Sequence, residues 1–267
     1  MNGSSLSLVD THCHFDFSPF NDTQKELASA QKAGVHSIII PSIGESNWYH
    51  TQQLAEQYSP LYYALGLHPY FIGQHNDNAL EQLRVCLDSR TEKCVAVGEC
   101  GLDFMLDDNR LIPELIDKQF RLFDAQIQLA IEYELPLILH ARRSHDKVLQ
   151  RLRHFRPKKG GVIHAFSGSY QLAMEYVKLG FYIGVGGVIT YPRAKKTRDT
   201  IARLPISSLL LETDAPDMPL SGFQGQANHP SQVLGVFESL CLLRKEDKSE
   251  LERCLFHNSC ELFAIQL

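Results

Sequence analysis

No Cys-x-x-Cys pair occurs among the seven cysteines, and no basic, apolar leader opens the chain at MNGSSLSLVD. A disulfide framework like those of small secreted domains is therefore not expected, and the compartment that fits is the reducing cytoplasm. Nowhere do about 18 apolar residues run together as a membrane-spanning helix requires, so a membrane protein is not expected either. Positive charge is also scarce: 26 Lys and Arg against 31 Asp and Glu leave a formal net charge of -5. That excludes indiscriminate coating of nucleic acid and confines any phosphate contact to a local patch. No GxGxxG follows the first apolar stretch, and Gly184, Gly186 and Gly187 lie inside a strand pattern, which makes a dinucleotide fold the weaker choice. No linker or low-complexity segment divides the 267 residues. A chain this long buries a sizeable core without help from metal or disulfide, so one domain, 1–267, is expected.

What is present is alternation. Eight apolar stretches recur: LSLVDTHCH, VHSIIIPSI, LYYALGLHP, CVAVGECGLD, LPLILHAR, GGVIHAFSG, GFYIGVGGVI and SSLLLETDAP. Between them, segments such as TQKELASAQKAG, IDKQFRLFDAQIQLAIEYE and YQLAMEYVKLG space apolar residues three and four apart, as helices do. Strand followed by helix throughout predicts an α/β fold with a parallel sheet, and eight repeats fit a TIM (β/α)8 barrel better than an open sheet. Residues 231–267 read as two further helices.

Polar residues that a core strand does not explain close these stretches: His12 and His14, His68, Glu99 and Asp103, His140, His164, then Glu212 and Asp214. In a (β/α)8 barrel the C-terminal strand ends share one rim, where active sites are built. Residues two apart share a strand face, so His12 and His14 are expected to look inward and Cys13 outward, with Glu212 and Asp214 together on one face. A lone histidine is usually a hydrogen-bonded structural residue. Four histidines, a glutamate and an aspartate at equivalent strand ends instead point to a metal centre, and imidazole with carboxylate suits zinc, manganese, iron or magnesium. His36, His50, His75, His154 and His257 fall away from the rim and read as surface or packing residues. His68, in GLHP, is either a substrate contact or a support for the ligands, and the loop residues His145 and His229 are placed where they could reach substrate.

Position also sorts the positive charge. The run QRLRHFRPKKG precedes the sixth strand and so belongs to the opposite side, as a solvated face. Arg142, Arg143, Arg193, Lys195, Lys196 and Arg198 follow strands five and seven, on the rim, and are the better phosphate-binding candidates. Aromatic residues in the loops after strands, among them Phe17, Tyr70, Tyr191 and Phe223, are either stacking platforms for unpaired bases or apolar caps.

Taken in order, DTHCHFD, GLHP, VGECGLDF, LILHARRSHDK, VIHAFSGS and LLLETDAP resemble the TatD family of metal-dependent deoxyribonucleases, across essentially the whole chain. HARRSHDK, YPRAKKTRD and ETDAPDMPLSGFQGQ are most similar to its YjjV-like branch. The resemblance implies two divalent ions, Zn, Mg or Mn. His12, His14 and Asp214 would hold one, His140 and His164 the second, and Glu99 would bridge both. It implies a hydrolase with DNA for substrate; the concave mouth of a barrel and the modest charge favour single strands or ends. The mechanism expected with two such ions is attack by a metal-bound hydroxide, with Asp214 orienting the water and taking its proton. His68, Arg142, Arg143 and Arg193 are the candidate substrate contacts. Two departures from the family pattern stand out: Ala141-Arg142-Arg143-Ser144 after His140 where an Arg-Asp-Ala is common, and GFQGQANHP, with Gln226 and Asn228, where arginines are common. Less fixed positive charge keeps open a small ester, lactone, amide or aminoacyl ester as substrate, and a non-catalytic metal-containing binding module is the third reading. No protein partner is inferable.

Overall fold

The computed structural model describes residues 6–105 and 111–265; the two ends of the expected 1–267 domain lie outside the described residues. Each apolar stretch contains a strand: β1 Leu8–Asp10, β2 Val35–Pro41, β3 Leu61–Leu65, β4 Cys94–Asp103, β5 Leu137–Arg142, β6 Gly161–Ile163, β7 Phe181–Val185 and β8 Leu209–Leu211. Their order is sequential, β1 to β8, which is the order of the (β/α)8 class. All ten residues of β4 are buried, as expected of a parallel strand covered on both faces. That is why these strands read as apolar runs and not as clean alternation.

The helices are α1 Thr23–Lys32, α2 Trp48–Gln57, α3 Ala79–Asp88, α4 Pro113–Glu132, α5 His145–Phe155, α6 Tyr170–Val177, α7 Lys195–Arg203, α8 Val233–Leu243 and α9 Lys248–Phe263. Local chemistry fixes several of their starts. The carboxylates of Asp22 and Asp247 accept the N–H groups of Lys25 and Glu250, capping α1 and α9, and α4 opens on Pro113, whose missing N–H is no loss there. The pair α8 and α9 is the one expected in 231–267. No helix among the described residues is long and apolar enough to cross a membrane.

Two compact units make up the chain. The first comprises Met1–Ile40, His164–Val177 and Tyr182–Leu267, with Phe15, Tyr176, Phe237 and Phe263 fully buried in it. Here β1 pairs with β2 and β7 with β8, all parallel. Beyond these pairs, Thr11 N donates to Leu211 O at 3.0 Å, and Cys13 forms a parallel bridge with Ala215. The first strand and the last thus run side by side although their residues are 200 apart in sequence. The second unit comprises Pro41–Ile163 and Lys178–Phe181, with Tyr63 and Phe123 fully buried. In it β3, β4, β5 and β6 pair in series, all parallel.

Three details differ from the sequence reading. The strands are shorter than the apolar stretches, so His12 and His14 lie just beyond β1, His164 just beyond β6, and Glu212 and Asp214 just beyond β8. Glu99 lies within β4, not at its end, because the strand continues to pair with β5 as far as Asp103 opposite Arg142, past a bulge between Val97 and Cys100. Gly186 and Gly187 are not strand: a 3-10 turn runs over Gly187–Thr190, and a Cβ on Gly187 would come within 2.9 Å of Met218 O. The close approach of that backbone needs a residue without a side chain.

A second glycine carries a sharper requirement. Gly101 has φ 141°, and a Cβ there would overlap the carbonyl oxygen of His140 on the neighbouring strand. Gly101→Ala is expected to lower unfolding free energy in urea by about 2–4 kcal/mol. An unchanged midpoint would show that β4 has room to shift away from β5.

Candidate metal centre

In the first unit the ladder between β1 and β8 continues past both strands. Asp214 N donates to His12 O and His14 N donates to Ala215 O, each at 2.8 Å. This stitching brings three donors together. His12 Nε2 lies 3.4 Å and His14 Nε2 3.8 Å from the same oxygen, Oδ1 of Asp214, and each of the three residues offers a ligand atom within 4.8 Å of those of the other two. Both histidines are buried. Asp214 has φ 58° and its carbonyl accepts Asp217 N–H at 2.9 Å, so a turn, not strand pleating, aims its carboxylate. Cys13 between the two histidines is fully buried, and burial pushes its thiol well above the ordinary range. It is packing, as expected.

His164 joins this group: its ring stacks on that of His12, with centroids 3.9 Å apart and planes 9° from parallel. Glu212 accepts the N–H of Ala165 with Oε1, while its buried Oε2 has no hydrogen-bond partner among the described residues. Burial pushes the Glu212 carboxyl up to about 8, against the opposing pull of His164 and the Ala165 N–H, with Asp214 and Asp10 adding to the rise. Burial likewise pushes Asp10 up to about 7, although the Thr213 hydroxyl, the Thr213 N–H and the His12 N–H all favour its charged form. Two fully buried carboxyl groups, Asp10 and Glu212, are thus crowded beside the partly exposed Asp214, with imidazoles next to them. His12, His14 and Asp214 lie close enough together to hold a metal ion, and two imidazole nitrogens with one carboxylate oxygen suit zinc, manganese, iron or magnesium.

A buried clamp holds the arrangement. Thr213 gives its hydroxyl to Asp10 Oδ2 at 2.6 Å and its N–H to Oδ1 at 2.9 Å. Asn228 Nδ2 donates to Thr213 O at 2.9 Å and to Met218 O at 3.2 Å, and Asn228 N to Pro216 O at 2.8 Å. Asp10, Thr213 and Asn228 were not among the candidate site residues. The available signal was Asp10 itself, a carboxylate at the end of an apolar strand.

The second unit holds the remaining groups in one hydrogen-bonded chain. Buried Glu99 presents Oε1 to His68 Nε2 at 2.8 Å and to His140 Nδ1 at 3.0 Å, and His140 Nε2 meets Asp103 Oδ2 at 2.9 Å. His68, Glu99 and His140 also lie close enough together to hold an ion, but hydrogen bonding assigns His68 another part. Its Nδ1 accepts the N–H of Tyr70 at 3.0 Å, so in the neutral ring Nε2 carries the proton and donates it to Glu99. His68 is therefore a support for Glu99. His75, read as a surface or packing residue away from the rim, is buried and braces it from behind through a 2.9 Å contact with His68 O.

Asp103 closes the chain at the other end. Gln119 takes both its backbone N–H and its carbonyl, and Met105 N donates to its Oδ1 at 2.8 Å. Burial alone would push this carboxyl up; the His140 hydrogen bond and charge, the Met105 N–H and Arg142 outweigh it and hold Asp103 below its ordinary value. An ionised Asp103 fixes the His140 ring, as carboxylates behind metal-binding imidazoles do. Sequence reasoning placed Asp103 at a strand end without giving it this part.

Of the candidate phosphate contacts, Arg142 is 45% exposed and lies 3.7 Å from Asp103 Oδ2. Arg143 is exposed at φ 53°, and Arg193 is exposed with its guanidinium 5.1 Å from the Tyr191 ring centroid. His229 is engaged structurally: it meets Glu26 of α1 at 3.2 Å and Ser231 Oγ at 2.8 Å. Burial and the neighbouring His140 charge hold His145 below its ordinary value. In the basic run, read as a solvated face, Arg151 is engaged: it pairs with Asp124 and lies over the rings of Phe120 and Phe155.

Comparison with known proteins gives concordant results. A family model described as TatD related DNase matches residues 9–264. The metal-dependent hydrolase YjjV of Escherichia coli (strain K12) is 52% identical over 258 residues, covering 96% of this chain and 98% of that protein. The crystal structure of YjjV, a TatD homologue, matches with a TM-score of 0.93 over 97% of this chain and 98% of that one. The 3'-5' ssDNA/RNA exonuclease TatD of Klebsiella pneumoniae (strain 342) is 31% identical over 252 residues, 92% of this chain and 93% of that protein.

The clamp on Asp10 is open to a direct test. Thr213→Val keeps the shape of the side chain and leaves Asp10 Oδ2 buried without its hydroxyl donor, so unfolding free energy should fall by about 1–3 kcal/mol. Denaturant melts of the metal-free protein measure this. A loss below about 0.5 kcal/mol, the range of neutral surface changes, would mean the hydrogen bond is not holding β8 to β1.

Proposed function

The chain belongs to the TatD-related DNase family, and from that premise we propose that it is a divalent-metal-dependent hydrolase that cleaves phosphodiesters in single-stranded DNA or at its ends. The observation that carries the reading is the convergence of His12 Nε2 and His14 Nε2 on one oxygen of Asp214. Its active form would be one domain, 1–267, with two ions: by the family pattern His12, His14 and Asp214 would hold one, His140 and His164 the other, and Glu99 would serve both. Support for the second set comes from the family pattern, from the stacking of His164 on His12 within the first unit, and from the contact of Glu99 with His140 within the second.

When bound, the ions supply Lewis acidity that makes a water nucleophilic near neutral pH and offsets charge on the phosphate. The residues of the chain do the rest. Asp214 is the carboxylate that meets the reacting water and takes its proton: its side chain is 15% exposed, whereas Asp10 and Glu212 are fully buried. His68 holds Glu99, and Asp103 holds His140. Exposed Arg142 and Arg143 in the second unit and Arg193 in the first favour an anionic substrate over a neutral ester or amide. The exonuclease activity carried in the name of the Klebsiella relative agrees with this choice.

The purified protein, loaded with Mg²⁺, Mn²⁺ or Zn²⁺ and offered labelled single-stranded and duplex oligonucleotides beside carboxylic-ester dyes, should release nucleotides from the single strand. Asp214→Asn should lower that rate at least about 100-fold, the lower end of what a general base contributes, with an unchanged circular-dichroism spectrum. Hydrolysis of carboxylic esters alone would overturn the choice of substrate. Full activity in the Asp214 variant would overturn the assignment of the base.

A further inference from the structure

The turn that begins at Asp214 runs on into the wall of a cavity. It has a volume of about 280 Å³, lies in the first unit, and is lined by Gly187, Val188, Tyr191, Arg193, Met218 and Pro219. Hydrogen bonds make it a formed pocket and not a gap between loops. Tyr191 Oη donates to Pro219 O at 2.6 Å, across the cavity's two sides. Ser221 N donates to Thr190 Oγ1 at 2.9 Å, and that hydroxyl donates to Gly187 O at 2.6 Å. Asn228, which holds Thr213 O beside Asp214, holds Met218 O with the same amide. The pocket is thus fixed to the backbone that positions the proposed general base.

Its chemistry narrows the occupant. The lining is hydrocarbon and one phenol ring, broken by a single guanidinium, and no acidic side chain contributes to it. Arg193 lies 5.1 Å over the Tyr191 ring, and Lys195 and Lys196 follow it, both exposed. A ligand that uses all of this has a flat, weakly polar part and a negative charge next to it. The volume lies at the lower edge of small-molecule sites, about 300–1,000 Å³, which admits one ring-bearing group and no duplex. Guanidinium and phenol planes stack on nucleobases, and the guanidinium also pairs with phosphate. We infer that this pocket is a nucleobase subsite, seating one base next to the scissile phosphate, with Arg193 shared between that base and its phosphate. The inference rests on the phosphodiesterase reading above and adds to it a place for one base.

The test compares substrates with and without a base. Thymidine 5'-(p-nitrophenyl phosphate) and thymidine 3'-(p-nitrophenyl phosphate) are measured against methyl p-nitrophenyl phosphate, using the metal-loaded enzyme. Wild type should prefer at least one of the nucleotide esters in kcat/KM. Arg193→Gln, which removes the charge, and Ala194→Phe, which fills the cavity from a seventh lining residue, should each reduce that preference at least tenfold. In the second arm, thymidine monophosphate is titrated into metal-free protein with labelled methionine methyl groups. The Met218 signal should shift in wild type and stay still in Ala194→Phe. Cleavage of all three esters with the same preference in wild type and variants overturns the subsite while leaving the phosphodiesterase reading intact. If no phosphodiester is cleaved, that reading fails, and the Met218 titration then decides the pocket alone: a shift abolished by Ala194→Phe upholds it, and no shift overturns it.

Discussion

The hydrogen bonds between the end of β1 and the end of β8 are the constraint on which the candidate centre depends. Asp214 N to His12 O and His14 N to Ala215 O join residues about two hundred positions apart. Neither strand could place the donors alone: two histidines on a short strand face nothing in particular until the last strand lies beside them and its turn lifts Asp214 into reach. Such a non-local pairing is costly in chain entropy and depends on the rest of the fold to offset that cost. The site is therefore an outcome of the whole first unit being folded.

Electrostatics explains why the arrangement is braced so heavily. Asp10 and Glu212 are fully buried beside Asp214, which adds to the cost of ionising both, and Asp10 adds to that of Glu212. Thr213, Asn228 and the N–H of Ala165 compensate through hydrogen bonds directed at the two buried carboxyls or at the backbone beneath them. In the second unit the same problem is solved differently, by alternating carboxylate and imidazole along Asp103, His140, Glu99 and His68, with a nitrogen-to-oxygen distance of 2.9, 3.0 and 2.8 Å at the successive contacts. Both halves keep imidazoles in fixed orientations, which is what a metal ligand needs before the ion arrives.

Much of this was legible in the sequence, and the reasons are physical. Buried parallel strands read as apolar runs, so a His, Glu or Asp closing such a run is conspicuous; that is why His12, His14, Glu99, His140, His164 and Asp214 could all be singled out. The sequential order of eight strands followed from the regular spacing of runs and helices. Direction and partnership were harder to read. Asp214 owes its direction to a positive φ that no pattern announces, and β4 continues beyond Glu99 because of its register with β5. The orientation of His68 toward Glu99 depends on a backbone N–H two residues on, at Tyr70. Thr213 and Asn228 act through groups that any surface loop also contains, so only the fold distinguishes them.

The central claim is that His12, His14 and Asp214 form a cation site. Crystals soaked in Mn²⁺ and measured at the manganese absorption edge test it most directly. An anomalous peak bonded to His12 Nε2, His14 Nε2 and the Asp214 carboxylate is the predicted result. A fully occupied manganese site elsewhere on the protein, with no peak among these three side chains, would contradict it.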